Sequence, residues 1–212
     1  MGLKHDIKLR KIPHKIASDM IIKNHYSHRM PISTILNIGI YYKERLVGTI
    51  IYNQGNSTCY HNLIKGSKPQ KNMELIRLWT EDDLPSGLIS RAISIKKIKH
   101  NNPLLDFIIS FADEGYATHT GIIYQASNFI YTGTSEGTEI DYYLNGKKYH
   151  SRGVGATFGV SKLSELQKLF KSVRLVKRKN RKHRYIFPLK PEIREEVEKI
   201  RKPYPKIQAD IV

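Results

Sequence analysis

The segment from residue 104 to residue 133 contains residue types that could perform acid–base chemistry. Its apolar run, residues 104–111, ends in the sequence ADEG, which contains Asp113. A continuous apolar run of this kind is typical of a strand buried on both faces. Because ligands of open α/β sheets bind beyond the carboxyl ends of the strands, Asp113 lies where a general base would be expected. The alternative is that Asp113 caps the turn after the strand.

A second group of side chains with suitable chemistry lies at the end of the first predicted helix. Apolar residues at helical spacing predict this helix over residues 15–25. The helix runs into the sequence HYSHRMP, which begins with His25 and Tyr26 and contains His28. Pro31 disfavours helix at the residue before it, so these side chains are expected at the helix exit. They could form a site, or they could form a solvated basic helix end stabilised by the helix dipole.

The charge of the chain indicates a polyanionic partner, of which nucleic acid is the commonest. The 212 residues include 36 Lys and Arg against 19 Asp and Glu, for a net charge of +17. Much of the excess lies in the last quarter, where residues 173–184 contain seven Lys or Arg and no acid. Such a run is either a solvated loop or a DNA-binding element. The candidate DNA contacts are Lys177, Arg178, Lys179, Arg181, Lys182 and Arg184.

Cysteine content and hydropathy exclude other classes of protein. Cys59 is the only cysteine, so an internal disulfide and a CxxC metal site are excluded. No apolar run approaches the roughly 18 residues of a membrane span, and the N-terminal residues lack the apolar core of a secretory signal. We therefore expect a cytoplasmic protein without a membrane partner. Nothing in the sequence indicates a protein partner, and both a monomer and a homodimer remain open.

The elements that must position these groups predict an α/β fold with a mixed central sheet flanked by helices. The pattern before residue 134 is helix, hairpin, strand, helix, strand, short helix and strand. The helix between the third and fourth of these strands makes that pair parallel. We expect a catalytic domain over residues 1–160 and a basic C-terminal extension over residues 161–212 packed on it. Later segments predict a hairpin around Asn145-Gly146, a glycine-rich loop at 151–159, a helix at 161–170, a strand pair at 173–187 and a helix at 191–202.

Two resemblances follow from these patterns. The order of elements is that of the GNAT acyltransferase fold. Three segments resemble the Mom family of phage DNA-modification proteins, namely HYSHRMP at 25–31, ELIRLWTEDDLP at 74–85 and FADEGYATHTGIIYQASNFIYTG at 111–133. The resemblance implies a phage enzyme that transfers a methylcarbamoyl-type group to the exocyclic amine of adenine in double-stranded DNA. Such a modification protects the DNA from restriction.

The resemblance also implies which residues act. It assigns catalytic roles to His25, Tyr26, Arg77, Asp113 and Tyr124. It implies cofactor-binding roles for Ser90 and Tyr131. Iron has been linked to the activity of the family. Our own hypothesis is that His25 or His28, together with Asp113 and Tyr124, would form an iron site if the first helix packs beside the central strand. A base extruded from duplex DNA is usually held by aromatic faces, and Tyr116, Tyr124 and Tyr131 are the candidates.

One departure from the usual GNAT sequence argues against acyl-CoA as the donor. Where a GNAT enzyme has its glycine-rich pyrophosphate loop, this chain has an acidic turn that contains Asp82 and Asp83. Two carboxylates would repel a pyrophosphate. Two alternatives to the DNA-modifying enzyme remain, which are a GNAT N-acyltransferase acting on a protein or small amine with acyl-CoA, and a DNA-binding module without catalysis.

Overall fold

The computed structural model describes residues 6–31, 33–54, 63–65, 67–93, 103–114 and 120–205. These residues fall into two compact units. The first unit comprises residues 1–134 and 183–212, and the second comprises residues 135–182. This division differs from the one expected at residue 160, because residues 135–160 group with residues 161–182 and the end of the chain returns to the first unit.

Among the residues that the structure describes, the first unit contains five complete strands and parts of two long ones. In chain order its elements are β1 (Ile7–Lys11), α1 (His14–Asn24), β2 (Leu36–Tyr42), β3 (Arg45–Gln54), β4 (Asn72–Thr80), α2 (Leu88–Ala92), β5 (Phe107–Asp113), α3 (Ile122–Ala126), the start of β6 (Ile130–Leu144), the end of β8 (Val173–Pro188) and α6 (Pro191–Lys199). The strand order is β1-β2-β3-β4-β5-β8-β6. The predicted series of helix, hairpin, strand, helix, strand, short helix and strand is confirmed, together with the mixed α/β class.

Strands β4 and β5 form the parallel pair that the sequence predicts, whereas β1 to β4 are antiparallel. The parallel register runs from Asn72–Phe107 to Leu75–Ser110. Beyond it β4 continues to Thr80 and β5 to Asp113. The pairing of β4 with β3 has a register shift between Ile51 and Tyr52 of β3. This shift lies at the point along β4 where its pairing with β5 ends. Bulges of this kind re-aim side chains and are common beside active sites.

The first unit buries apolar side chains on both faces of its sheet. Ile108 and Ala112 of β5 belong to the cluster that contains Tyr124, whereas Phe107 and Ile109 belong to a second cluster with Val197 of α6. This alternation is the period of two of a strand buried on both faces. The prediction of a buried strand is therefore confirmed, although it begins at Phe107 rather than at residue 104.

The second unit, within the described residues, contains strand segments and two helices. It contains the end of β6, then β7 (Lys147–His150), α4 (Ser151–Phe158), α5 (Leu163–Leu169) and the start of β8. The predicted hairpin around Asn145-Gly146 is confirmed by the antiparallel register of β6 and β7. Tyr142 and Leu144 of the sheet form the core of this unit with Val154 of α4 and Leu166 of α5.

Three local predictions are wrong. The glycine-rich segment 151–159 is a helix over residues 151–158, because burial of Val154 compensates for the poor helix propensity of its glycines. Residues 130–144 form one strand rather than two, and the expected strand pair at 173–187 is the single strand β8. The basic run can remain extended within β8 because acidic side chains of β6 contact it. No helix among the described residues is long and apolar enough to cross a membrane.

Candidate active site

Arg77 is the centre of a cluster of side chains that come from distant parts of the first unit. Its Nη1 donates to the Ile76 carbonyl oxygen at 2.8 Å, and its Nε lies 3.4 Å from the Arg29 carbonyl oxygen. Burial lowers the pKa of Arg77, and the neighbouring Tyr26, Glu74 and Tyr124 act in the opposite direction. The guanidinium still carries its charge at neutral pH, because a free arginine titrates above 12. The cluster therefore has a cation that is largely withdrawn from water.

Tyr124 is the second component of this cluster and lies on α3. Its side chain is buried, and burial raises the pKa of Tyr124 to about 12. A hydrogen bond with the Ser110 hydroxyl lowers this pKa but does not outweigh burial. At neutral pH Tyr124 is thus a neutral hydroxyl that can donate a hydrogen bond. Its ring packs at 5.3 Å from the ring of Tyr185 and at 5.5 Å from that of Phe129, which fixes the orientation of the hydroxyl.

The corner that follows α1 supplies the third component. The rings of His25 and Tyr26 lie 4.1 Å apart with an interplanar angle of 33°. The backbone N–H of Ser27 donates to Nδ1 of His25 at 3.1 Å, so this nitrogen carries no proton, and Nε2 carries the proton of the neutral ring. His25 is buried, whereas the Tyr26 ring is 41% exposed. An exposed ring supported by a buried one offers a flat surface to a ligand.

Asp113 lies apart from Tyr124 in the sheet. Ser110, which interacts with Tyr124, alternates along β5 with residues of the other face, and Asp113 is three positions further on. The alternation of a strand therefore directs Ser110 and Asp113 to opposite faces. Asp113 is buried, and the turn that it would cap lies outside the described residues.

The hypothesised iron site at His25, Asp113 and Tyr124 does not fit this arrangement. His25, Asp113 and Tyr124 would have to point at one metal ion, but Asp113 and Tyr124 belong to opposite faces of β5. Nδ1 of His25 already accepts the Ser27 N–H, and Nε2 carries a proton in the neutral ring, whereas a metal ligand needs an unprotonated nitrogen. Within the described residues, no three His, Cys, Asp or Glu side chains come together in a way that could hold a metal ion.

The two residues expected to bind a cofactor lie in different surroundings. Ser90 lines a shallow pocket of about 180 Å³ together with Glu81, Asp82 and Ile123. Its hydroxyl donates to the Gly87 carbonyl oxygen at 3.0 Å. Tyr131 is buried on β6, and its hydroxyl lies 2.9 Å from Nδ1 of His183. Glu81 and Asp82 are the two carboxylates in the lining of the Ser90 pocket.

The basic run on β8 has two different faces. In the second unit, Arg178 contacts the buried carboxylate of Asp141, and Lys182 lies 3.5 Å from Glu139. In the first unit, Arg184 donates to Oγ1 and to the carbonyl oxygen of Thr132, both at 2.9 Å. Each of these even-numbered cations therefore contacts another group of the protein, although Arg178 is itself exposed. Of the odd-numbered ones, Lys177, Lys179 and Arg181 are exposed, and neither lysine forms an ion pair within the described part of the chain.

The family of the chain follows from comparison with known proteins. The Mom protein family model matches residues 6–206. The chain belongs to the Mom protein family. A member of this family, the methylcarbamoylase mom of Escherichia phage Mu, is 33% identical over 148 residues. The match covers 68% of this chain and 60% of that protein, so the chain spans less than two thirds of the length of its Mom relative.

Solved structures similar to this Mom protein include two acetyltransferases. Aminoglycoside acetyltransferase AAC(6')-Ib in complex with coenzyme A has a TM-score of 0.46 and 11% identity, over 61% of this chain and 87% of that chain. An N-acetyltransferase from Staphylococcus aureus Mu50 has the same TM-score and identity, over 87% of this chain and 99% of that chain.

Four side chains of this Mom protein had not been identified from its sequence. Glu74 interacts with Arg77 and Tyr124, and Ser110 interacts with Tyr124. Glu114 and His183 contact each other at 2.5 Å beside Tyr131. Glu74 begins the second of the three segments that resemble the Mom family, and Glu114 lies in the third. Their positions in these segments could have identified both residues from the sequence. Ser110 and His183 gave no such signal, because one is part of an apolar strand and the other of a basic run.

Proposed function

We propose that this Mom protein transfers a methylcarbamoyl-type group to the N6 amine of adenine in double-stranded DNA, and thereby protects that DNA from restriction. The observation that carries the proposal is the convergence of Tyr26, Arg77 and Tyr124 from three separate segments. The family of the chain and the name of its phage Mu relative supply the reaction type. The high positive charge of the chain supplies the polyanionic substrate.

The side chains of the cluster have complementary roles in such a transfer. The N6 amine is a poor nucleophile because its lone pair is delocalised into the ring. Transfer forms an N–C bond and breaks both an N–H bond of the amine and the bond between the transferred group and its donor. The leaving group of the donor departs with the electron pair of that bond, one side chain must accept the amine proton, and others must stabilise the charge that develops on the transferred carbonyl. Arg77 and Tyr124 are donors suited to the carbonyl oxygen. Glu74, which interacts with both, is the carboxylate that we assign to the proton.

Tyr26 provides a place for the base itself. Enzymes that act on a base inside a duplex extrude it and hold it against aromatic side chains. Tyr26 has an exposed ring, its neighbour His25 supports that ring from one side, and Arg77 interacts with it. A base stacked on Tyr26 would thus lie next to the donors of the cluster.

Nucleoside mass spectrometry of plasmid DNA tests the proposed reaction. Wild-type protein expressed in a bacterial host is expected to give a modified adenine nucleoside. Arg77→Lys removes the planar guanidinium donor and Tyr124→Phe removes the hydroxyl donor. Each variant should lower the modified fraction of adenine about 100-fold. Arg10→Lys, at a surface ion pair with Glu44, and Tyr142→Phe, in the second unit, are the matched controls and should retain activity. Soluble wild-type protein that leaves all adenine unmodified would refute the proposal.

The DNA contact is tested separately by binding to a duplex at several salt concentrations. Lys177→Gln with Lys179→Gln removes the two lysines of β8 for which the described residues provide no ion pair. If each neutralises one phosphate, the slope of log K against log salt should fall by about 1.8. The pair Lys168→Gln and Lys171→Gln removes the same charge from exposed positions on and after α5 and should leave the slope unchanged. Equal losses in both double variants would show that binding depends on total charge rather than on β8.

A further inference from the structure

The strands of the second unit have one face packed on helices and an opposite face with charged side chains. Tyr142 and Leu144 of β6 form a core with α4 and α5, and Leu175 of β8 packs against this core. Because successive residues of a strand point to opposite faces, Asp141 and Tyr143 lie on the other side, which we call the open face. The second unit contains twelve Lys or Arg against four Asp or Glu.

A buried carboxylate holds two cations together on the open face. Asp141 is 2% exposed, and its Oδ2 lies 3.1 Å from Nζ of Lys148 on β7 and also contacts Nη2 of Arg178 on β8. Burial raises the pKa of Asp141, but Lys148 and Arg178 outweigh this effect and hold that pKa below its usual value, so the carboxylate is ionised at neutral pH. The side chains of Lys148 and Arg178 are 36% and 45% exposed. One buried negative charge therefore fixes two positive charges that would otherwise repel each other.

An aromatic ring fixes a third cation on the same face. The guanidinium carbon of Arg174 on β8 lies 4.5 Å from the ring centroid of Tyr143, which is the geometry of a cation–π contact. Tyr143 pairs with Lys148 in the register of β6 and β7, so the two groups of fixed side chains are neighbours. Arg174 is exposed. Long side chains that are already held in place lose less conformational freedom when a ligand binds.

We infer that Lys148, Arg174 and Arg178 form a preorganised surface that binds the phosphates of a DNA duplex. Asp141 and Tyr143 are positioning residues, because they act through these cations. The planar guanidinium groups match the geometry of phosphate oxygens, and three cations against one carboxylate leave the surface positive. Phosphate contacts of this kind fix a protein on a duplex without reading its sequence. The choice of duplex DNA as the ligand rests on the proposed function.

This surface is additional to the contact proposed for Lys177 and Lys179. These two lysines alternate along β8 with Arg178 and therefore point to the opposite face. Within the described residues of the second unit β8 is an edge strand, because its neighbour on the other side, β5, belongs to the first unit. Side chains on both faces of an edge strand can reach one duplex.

The positioning role of Asp141 predicts a change in affinity opposite to the change in net charge. Asp141→Asn and Glu136→Gln each make the chain more positive by one charge, and Glu136 is an exposed residue of β6. Binding of the full chain to a labelled duplex is measured by fluorescence anisotropy. We expect Asp141→Asn to weaken binding about five-fold, because two side chains lose their anchor, and Glu136→Gln to bind as tightly as the wild type or more tightly. Binding by Asp141→Asn as tight as that by Glu136→Gln would overturn the role of Asp141.

A second set of variants leaves the contact of Asp141 with Arg178 in place. Lys148→Gln with Arg174→Gln removes two cations of the open face, and the slope of log K against log salt should fall by about 1.8. The pair Lys168→Gln and Lys171→Gln is again the control. Tyr143→Phe keeps the ring beneath Arg174 and should retain the affinity of the wild type, whereas Tyr143→Leu should lower it. An unchanged slope in the Lys148 and Arg174 double variant would overturn the proposed surface.

Binding and modification fail separately in these experiments. The anisotropy measurement uses unmodified duplex and needs no transfer, whereas nucleoside mass spectrometry follows the reaction. If the double variant lost slope but the wild type modified no adenine, the surface would stand and the proposed reaction would fail. If the wild type modified adenine and the double variant bound with an unchanged slope, the reaction would stand and the surface would fail.

Discussion

Replacing Gly121 by alanine is expected to destabilise the first unit and to displace the two tyrosine rings beside it. Gly121 immediately precedes α3 and has a φ of +82°, a conformation that L side chains rarely adopt. A Cβ atom at this position would lie 2.5 Å from Cε2 of Tyr185 and 3.1 Å from Cδ2 of Tyr124. The substitution therefore combines an unfavourable backbone conformation with a steric clash.

The expected cost can be worked out from these two effects. The backbone conformation costs about 1–2 kcal/mol for a residue with a Cβ, and overpacking of a buried site costs about 1–3 kcal/mol. Alanine restricts the unfolded chain and returns about 0.4–1 kcal/mol. The free energy of unfolding should thus fall by about 3 kcal/mol. Gly87 has a φ of +77° but open space around its Cβ position, so Gly87→Ala should cost only about 1 kcal/mol.

Urea unfolding followed by tryptophan fluorescence measures this difference. Trp79 is the single tryptophan of the chain and lies on β4, so its emission reports on the first unit. The variant should also lose adenine modification, because a displaced Tyr124 no longer faces Ser110 and Arg77. If Gly121→Ala and Gly87→Ala unfolded at the same urea concentration, the close packing of Tyr185 and Tyr124 on Gly121 would be refuted.

Ionisable side chains give three further tests. Burial raises the pKa of Tyr124 from 10.0 to about 12. The stabilisation that the neutral Tyr124 side chain contributes is therefore complete below pH 10 and is lost as the pH rises towards about 12. The free energy of unfolding of Tyr124→Phe, measured in urea, should depend less on pH over that window. Burial raises the pKa of the Asp141 carboxyl, but Lys148 and Arg178 outweigh this effect and hold that pKa below 3.8. The stabilisation from the ionised carboxylate is therefore present above pH 3.8 and is lost as the pH falls below it. The thermal unfolding temperature of Asp141→Asn should respond less to acid. Lys190→Met leaves the Asp106 carboxylate without the ammonium now at 2.5 Å and should lower the free energy of unfolding by about 1–3 kcal/mol; a loss near zero in urea would contradict this contact.

The sequence predicted correctly those helices and strands in which the pattern of apolar residues matches the side that the fold buries. The hairpin of β2 and β3 and the parallel pair of β4 and β5 have apolar residues on the sides that the structure buries. Strand β1 was not predicted, although its sequence IKLRK alternates apolar and basic residues, because five residues give a weak signal. The predictions for residues 151–158 and 173–188 were wrong because the structure of these segments depends on distant partners. These partners are the core around Val154 and the acidic residues at 139 and 141.

The site illustrates the same limit at the level of single residues. The resemblance named Tyr26, Arg77 and Tyr124, and the structure brings these three together. It could not show that Asp113 faces away from Tyr124, because this depends on how β5 is buried on both faces. Nor could it name His183, which lies fifty-two residues from Tyr131 in the sequence and contacts it only through the pairing of long strands. Residue types are readable from sequence, whereas their convergence depends on register.

The donors and acceptors of the first unit match the two reacting groups of the proposed transfer. A methylcarbamoyl-type group presents a carbonyl oxygen, which accepts hydrogen bonds, and the adenine amine presents N–H bonds, which donate them. Arg77 and Tyr124 are held as donors at neutral pH, the first as a cation and the second as a neutral hydroxyl. Glu74 is the acceptor that we assign to the amine proton. Tyr124 is buried and Arg77 and Glu74 are partly buried, so water competes less for these hydrogen bonds and each contact is stronger than it would be at the surface.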